Sequence, residues 1–242
     1  MNKLMMGKLP KKEDSRNLKF AKYLSGTLPA IPKQYIGYKI LTKWGMMLND
    51  KIGDCTIAGA GHLINAWTSG KTIPPDYIIQ KVYSDISGYD PTTGNKDDGC
   101  VELDVLNYWH KTGINGDTIG AFAEVNIKKE ADIKAALYLF NGLYIGVNLP
   151  SSAEYQFQKG EPWKVVKGAQ IVGGHCIVLV AYDETYYYAV TWGDIVKIEK
   201  AWLKKYMDEA YAIISQDYIQ GGKTLQGYNI PALTTDMRLI SK

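Results

Sequence analysis

Gly53-Asp54-Cys55-Thr56-Ile57-Ala58-Gly59-Ala60-Gly61-His62-Leu63-Ile64-Asn65-Ala66-Trp67 is small or apolar nearly all round. Such a stretch reads as a helix buried on every side, and its length predicts a helix over 55–68. Two interior glycines cost about 1 kcal/mol each relative to alanine, a cost that close packing against another backbone would explain. Gly53-Asp54 makes a tight turn that delivers Cys55 to the helix start. About 120 residues later, Gly173-Gly174-His175-Cys176-Ile177-Val178-Leu179-Val180-Ala181-Tyr182-Asp183 delivers a histidine to the start of an apolar strand. Chemistry joining a thiolate to an imidazole needs such delivery, each group at an element's end and the pair meeting across a cleft.

A free cysteine titrates near about 8.5, and a helix N-terminus with a nearby imidazolium lowers that by several units. Cys55 is therefore the candidate nucleophile. His175, beside backbone that permits close approach, is the candidate base. His62 and His110 fall inside helical patterns and read as structural, and Cys176 reads as a packing residue.

Outward from these segments, helical periodicity covers 76–86, 100–112 and 130–140. Strand patterns cover 143–149, 175–182, 186–192 and 195–199, followed by a short helix over 201–209 and a last strand over 210–215. Trp44 reads as a core anchor. Residues 1–30, broken by Pro10, Gly26 and Pro29, read as an arm laid over the body. Helices dominate the first half and strands the second, so the fold class is α+β in two lobes, with Cys and His one in each half.

At 242 residues and 46% hydrophobic, the chain is large enough for one substantial core or two lobes. It has neither a signal-peptide core at its start nor an apolar run of membrane-spanning length. Three widely spaced cysteines favour reduced thiols in a cytosol-like compartment. Without a C-x-x-C, no structural zinc site is expected, and nothing calls for a cofactor. Residues 1–43 carry ten basic and two acidic groups, a basic arm able to touch an acidic surface, though a solvated arm is the simpler reading. Only Arg16 and Arg238 are arginine, so nucleic-acid recognition is not indicated.

These residues resemble the papain-like cysteine peptidases. In that family a glutamine precedes the catalytic cysteine by six residues, the position of Asn49 here. Gly174-His175-Cys176-Ile177-Val178 is similar to the family's histidine strand. Thr191-Trp192-Gly193 stands where the family has Asn-Ser-Trp-Gly, and Glu209-Ala210-Tyr211-Ala212-Ile213 resembles its closing strand. Ile31-Pro32 and Gly99-Cys100 fall at similar punctuation. The likeness runs from about residue 31 to 216. The chain looks closer still to a group of uncharacterised papain-fold proteins of bacteriophage and bacterial genomes, which share Gly-Asp-Cys-Thr, Val101–Trp109 and Val190–Gly193.

The resemblance implies a papain-like two-lobed fold. A helical lobe with the Cys-bearing central helix spans about 45–140, and an antiparallel β lobe with His175 spans about 141–216. An N-terminal arm (1–30) and a C-terminal tail (217–242) flank them. It implies a cysteine hydrolase acting on peptide or isopeptide bonds, with Cys55 attacking, His175 moving the proton, and Asn49 with the Cys55 N–H holding the oxyanion. The family's orienting asparagine is missing. The family spacing from His175 lands on Thr191, whose hydroxyl is one substitute, and the Asp194 carboxylate is another; Trp192 would shield the contact. No pro-segment of the family's usual length precedes the domain, so no long inhibitory propeptide is expected. Two alternatives stand beside this reading. One is a weak or inactive papain-fold protein serving as a phage virion or binding component, tied to neighbours by arm and tail. The other is acyl-transfer chemistry with the same cysteine and histidine.

Overall fold

The structure is a computed structural model that describes residues 4–24, 29–37, 41, 43–215, 219–220, 223–224, 231 and 235–236. Gly26 and most of the tail expected over 217–242 lie outside the described residues. The main elements in chain order are β1 (Tyr35–Ile36), α1 (Cys55–Trp67), α2 (Asp76–Ser87), α3 (Glu102–Lys111), β2 (Ile119–Glu124), α4 (Glu130–Phe140), β3 (Leu143–Pro150), α5 (Ser151–Gln158), β4 (Ile171–Tyr182), β5 (Tyr186–Thr191), β6 (Asp194–Glu199), α6 (Lys200–Tyr206) and β7 (Met207–Ser215). Helices α1 to α3 form the first lobe. The strands form one antiparallel sheet in the order β2-β7-β3-β4-β5-β6, with β1 on β4. The chain thus has the α+β, two-lobed architecture expected, with the Cys55 helix first and the His175 sheet after it.

All thirteen residues of α1 are buried. Its glycines are there for close approach. A Cβ on Gly59 would sit 2.9 Å from Cys176 Sγ on β4 and 3.1 Å from the Tyr144 ring on β3, and one on Gly61 would run into Met47. The helix therefore lies directly on the strand that carries the histidine. At the other end of its lobe, α2 follows Pro74-Pro75 and stops at Gly88, whose left-handed φ of 77° closes the C-terminus.

Several boundaries differ from the sequence reading. Strand β4 starts at Ile171, so His175 lies inside the strand, opposite Val147; Gly173 and Gly174 remain extended and pair with Leu149 and Asn148. Helix α3 begins at Glu102, because Cys100 pairs its backbone with the N-terminal segment. Helix α6 ends at Tyr206 and 207–209 join β7. Strand β2 and helix α5 were not expected. Strand β2 pairs with β7, so part of the expected helical half is built into the sheet.

The arm is tied to the body while Lys12, Glu13, Arg16 and Lys19 stay exposed. Phe20 is fully buried in a short 3-10 helix, and Lys8, Lys11, Lys12 and Lys19 pair with Asp208 and Glu209, Glu124, Asp104 and Glu124 of the body. Four of the arm's lysines thus find acidic partners on the body of the same chain. Among the described residues, no helix is long and apolar enough to cross a membrane.

Candidate active site

Cys55 opens α1, where the first N–H groups of a helix have no intrahelical partner. Its sulfur accepts a 3.4 Å hydrogen bond from the backbone N–H of Cys176, the residue after His175. The thiol of one lobe thus touches the histidine strand of the other. The His175 side chain is fully buried. Its Nε2 lies 2.6 Å from Thr191 Oγ1, while its Nδ1 has no hydrogen-bond partner among the described residues.

Thr191 reaches the ring because β5 and β6 are joined by a two-residue turn, Trp192-Gly193, with φ of 47° and 75°. Both central residues are left-handed, the turn type that suits a twisted hairpin. A tryptophan is strained there, and the strain is matched by a contact. Its indole stacks on the His175 imidazole with centroids 4.6 Å apart and planes 23° apart, and covers it. Of the two groups offered to steady the imidazole, the fold brings up Thr191. Asp194 is exposed, and its carboxylate caps the Ile195 N–H.

Asn49 is buried in the loop before α1, and its amide donates to Asp54 Oδ1 at 3.1 Å and to the Ile52 carbonyl at 3.4 Å. The amide is thus engaged within its own loop. Asp54 does not cap the helix with its side chain; burial pushes its carboxyl well above the usual range. His62 bonds the Gly45 carbonyl and His110 the Ile119 carbonyl, which gives each a packing role.

An N-terminal strap lies across the cleft. Met5 N–H donates to the Asn49 carbonyl on the helical side, and the Met5 carbonyl accepts from Trp192 Nε1 on the sheet side. Gly7 and Lys8 N–H groups both reach the Gly174 carbonyl, at 3.3 and 3.2 Å. Cys100 N–H donates to Gly7 O at 2.8 Å, and Leu9 N–H to Cys100 O at 2.9 Å. The cleft walls are glycine where the strap passes. A Cβ on Gly99 would strike Gly7 O, and one on Gly174 would strike Lys8 O. Gly7, with φ of 149°, has no room for a Cβ against Gly53. Under this cover Cys55 is only 1% exposed. Burial pushes its thiol above the ordinary cysteine range and pulls His175 down to about 3, so both groups are neutral around pH 7.

The sequence reading laid residues 1–30 over the body but placed neither the strap across the cleft nor the residues that hold it, Lys8 above all. The Met6-Gly7-Lys8 glycine in an otherwise polar arm was one signal. Glu102 was another: it lies on the same helix face as Val105, Leu106 and Trp109, a carboxylate in an apolar stripe. Among the described residues, no three His, Cys, Asp or Glu side chains are grouped to hold a metal ion.

No family model matches the sequence, and no curated protein matches it. Solved structures do match in fold. Xylellain, a cysteine protease from Xylella fastidiosa, superposes with a TM-score of 0.65 at 15% identity over 88% of this chain and 97% of its own. The proCathepsin B S9 of Trypanosoma congolense gives 0.56 at 11% identity over 88% and 87%. A Carica candamarcensis cysteine protease in complex with E-64 gives 0.53 at 13% over 76% and 99%. With Cys55 heading a buried helix and His175 on the facing antiparallel sheet, these likenesses show that the chain has the papain-like cysteine protease fold.

Proposed function

We propose that the chain is a cysteine hydrolase acting on peptide or isopeptide bonds, with Cys55 as nucleophile and His175 as base. The observation that carries this is the meeting of the Cys55 sulfur with the His175–Cys176 backbone, beside an imidazole with one free nitrogen. Nε2–H donates to Thr191 Oγ1, which leaves the Nδ1 lone pair to take the thiol proton. The thiolate adds to the carbonyl carbon, and the oxyanion is met by the Cys55 N–H and by Asn49 once its long contact to Ile52 is released. The C–N bond then breaks as His175 returns its proton to the leaving amine. Water, deprotonated by His175, hydrolyses the thioester and restores the thiol.

The covered cleft favours a second reading, in which the strap stays in place and the protein serves as a binding or phage virion component. Alkylation of Cys55 by iodoacetamide, mapped by mass spectrometry against pH, separates the two. It is best done in Lys8→Ala, where the strap is loosened. Labelling below pH 7 that disappears in Lys8→Ala/His175→Ala supports a thiolate–imidazolium pair and the hydrolase. Labelling that rises only at ordinary thiol pH, unchanged by loss of His175, overturns it in favour of the second reading.

A further inference from the structure

Among the described residues of the arm, Lys8 is the one lysine whose ammonium is carried inside. Its side chain is 1% exposed, and Nζ lies 2.8 Å from Glu209 Oε1, 2.9 Å from Asp208 Oδ2 and 3.3 Å from the Leu9 carbonyl. The stem runs over Gly146, where any Cβ would strike its Cε. Glu209 is anchored from behind by the Tyr211 hydroxyl at 2.9 Å. Glu102 is fully buried, and its charge raises Lys8 further. Burying the Lys8 ammonium against the Glu209 carboxylate carries a desolvation cost that an apolar contact would avoid. The Asp208 side chain is 23% exposed, so the cluster meets the surface on that side.

The strap that delivers Lys8 is held as an extended peptide, through backbone bonds to Gly174 and Cys100 beside the Cys55–Cys176 hydrogen bond. Those bonds are indifferent to sequence, so whatever peptide replaces the strap is selected by the side chain it places in the pocket. We propose that the pocket formed by Glu209, Asp208 and Gly146 is the cleft's specificity site, that it selects a lysine side chain in the substrate peptide, and that Lys8 occupies it as a built-in substrate mimic. This rests on the hydrolase reading above. Lysine is favoured over arginine because the carboxylates surround a point charge at the end of a stem confined over a glycine, and a flat guanidinium fork needs more width.

The test uses full-length Cys55→Ala/Lys8→Ala, which empties the pocket and does not cut. Binding of acetyl-Met-Met-Gly-Lys-Leu-Pro-amide is compared with the same peptide carrying norleucine for lysine. A preference of roughly 30-fold or more for lysine, lost in an added Glu209→Gln, is expected from losing one partner of a buried charge pair. Equal affinities overturn the proposal. The unaltered chain gives a second reading should Lys8→Ala fold poorly. The lysine peptide at saturation should speed amide exchange at Gly7 and Leu9 by displacing the strap, and the norleucine peptide should not; equal effects again overturn it. Peptide cleavage by Lys8→Ala with Cys55 intact separates the two levels of argument. Cuts at a fixed distance from lysine support the pocket. Cuts indifferent to lysine sink it and leave the hydrolase standing. No cleavage of any peptide removes the hydrolase reading and the substrate role of the pocket with it.

Discussion

Two buried polar clusters share the cleft and are treated oppositely by burial. At Cys55, His175 and Thr191, burial meets no opposing charge: Asp54 and Glu102 push the buried thiol further up, and burial with His62 pulls the imidazole down to about 3. At Lys8, burial alone would also discharge the ammonium. The carboxylates of Glu102, Glu209 and Asp208 outweigh it and hold Lys8 above its ordinary value. Glu102 and Glu209 are pushed up in turn, first by burial and then by neighbouring carboxylates, and the positive charge of Lys8 opposes that rise. Burial silences a group without a counter-charge and locks a group that has one. The closed cleft therefore keeps its charge in the strap's anchor and not in the Cys–His pair, and the anchor decides whether that pair sees water.

The largest way to break this contrast is Lys8→Ala. Removing one member of a buried ion cluster leaves uncompensated charge, at a cost of about 3–5 kcal/mol. Because the strap lies on the surface of the cleft, the cost should appear as strap release and not as global unfolding. Amide exchange at Gly7 and Leu9, whose N–H groups bond Gly174 and Cys100, should accelerate by roughly 100-fold or more. Exchange in α1 should stay slow. Unchanged exchange at Gly7 would mean that the backbone bonds and Phe20 alone hold the arm.

Acid should sharpen the contrast next. His175 titrates at about 3 in the closed form and near 6.5 once exposed, so the closed form binds fewer protons. Its contribution to stability is fully present above about pH 6.5 and is lost as pH falls towards 3. Between pH 7 and 5 that amounts to about 2 kcal/mol. His62, pulled down to about 4 by burial, acts in the same direction, whereas Glu102 and Glu209, pushed up, act in the opposite one. Urea unfolding at the two pH values should therefore show a smaller loss in His175→Gln than in the unaltered chain, by up to about 2 kcal/mol. An identical loss in both would mean that His175 is not held neutral.

Much of this was legible in the sequence, for reasons that differ from residue to residue. The all-round apolarity of 55–67 announced a helix with no exposed face, and its glycines announced a close neighbour, which proved to be Cys176 on β4 and Tyr144 on β3. The spacing from His175 that lands on Thr191 matched a real contact, since a hairpin with a two-residue turn fixes which residue faces the ring. Strand β2 was hidden because Ile119–Glu124 is half small residues and takes its order from pairing with β7, a long-range cause that local periodicity does not record. The strap was hidden for a related reason. Lys8 looks like any solvated lysine until the carboxylates of 102, 208 and 209 are brought to it from about 90 and 200 residues away.

The smallest expected effect concerns how His175 is steadied. On the hydrolase proposal, the Thr191 hydroxyl accepts from Nε2–H without carrying charge, so it would fix the tautomer and ring orientation but do little for an imidazolium formed during turnover. Thr191→Val keeps the shape and removes the acceptor, leaving a buried N–H unpaired at a cost of about 1–2 kcal/mol, or roughly tenfold in rate. Thr191→Asn restores a stronger acceptor at the same site and should recover or exceed the parent rate. Measured in the Lys8→Ala background, where the strap no longer limits access, the valine variant should lower kcat with little change in KM, because the hydroxyl touches the base and not the substrate. A valine variant as active as its parent would assign orientation to the stacked Trp192 ring instead, whose left-handed backbone and 4.6 Å contact already restrict the imidazole to one plane. Trp192→Leu would then carry the loss that Thr191→Val did not.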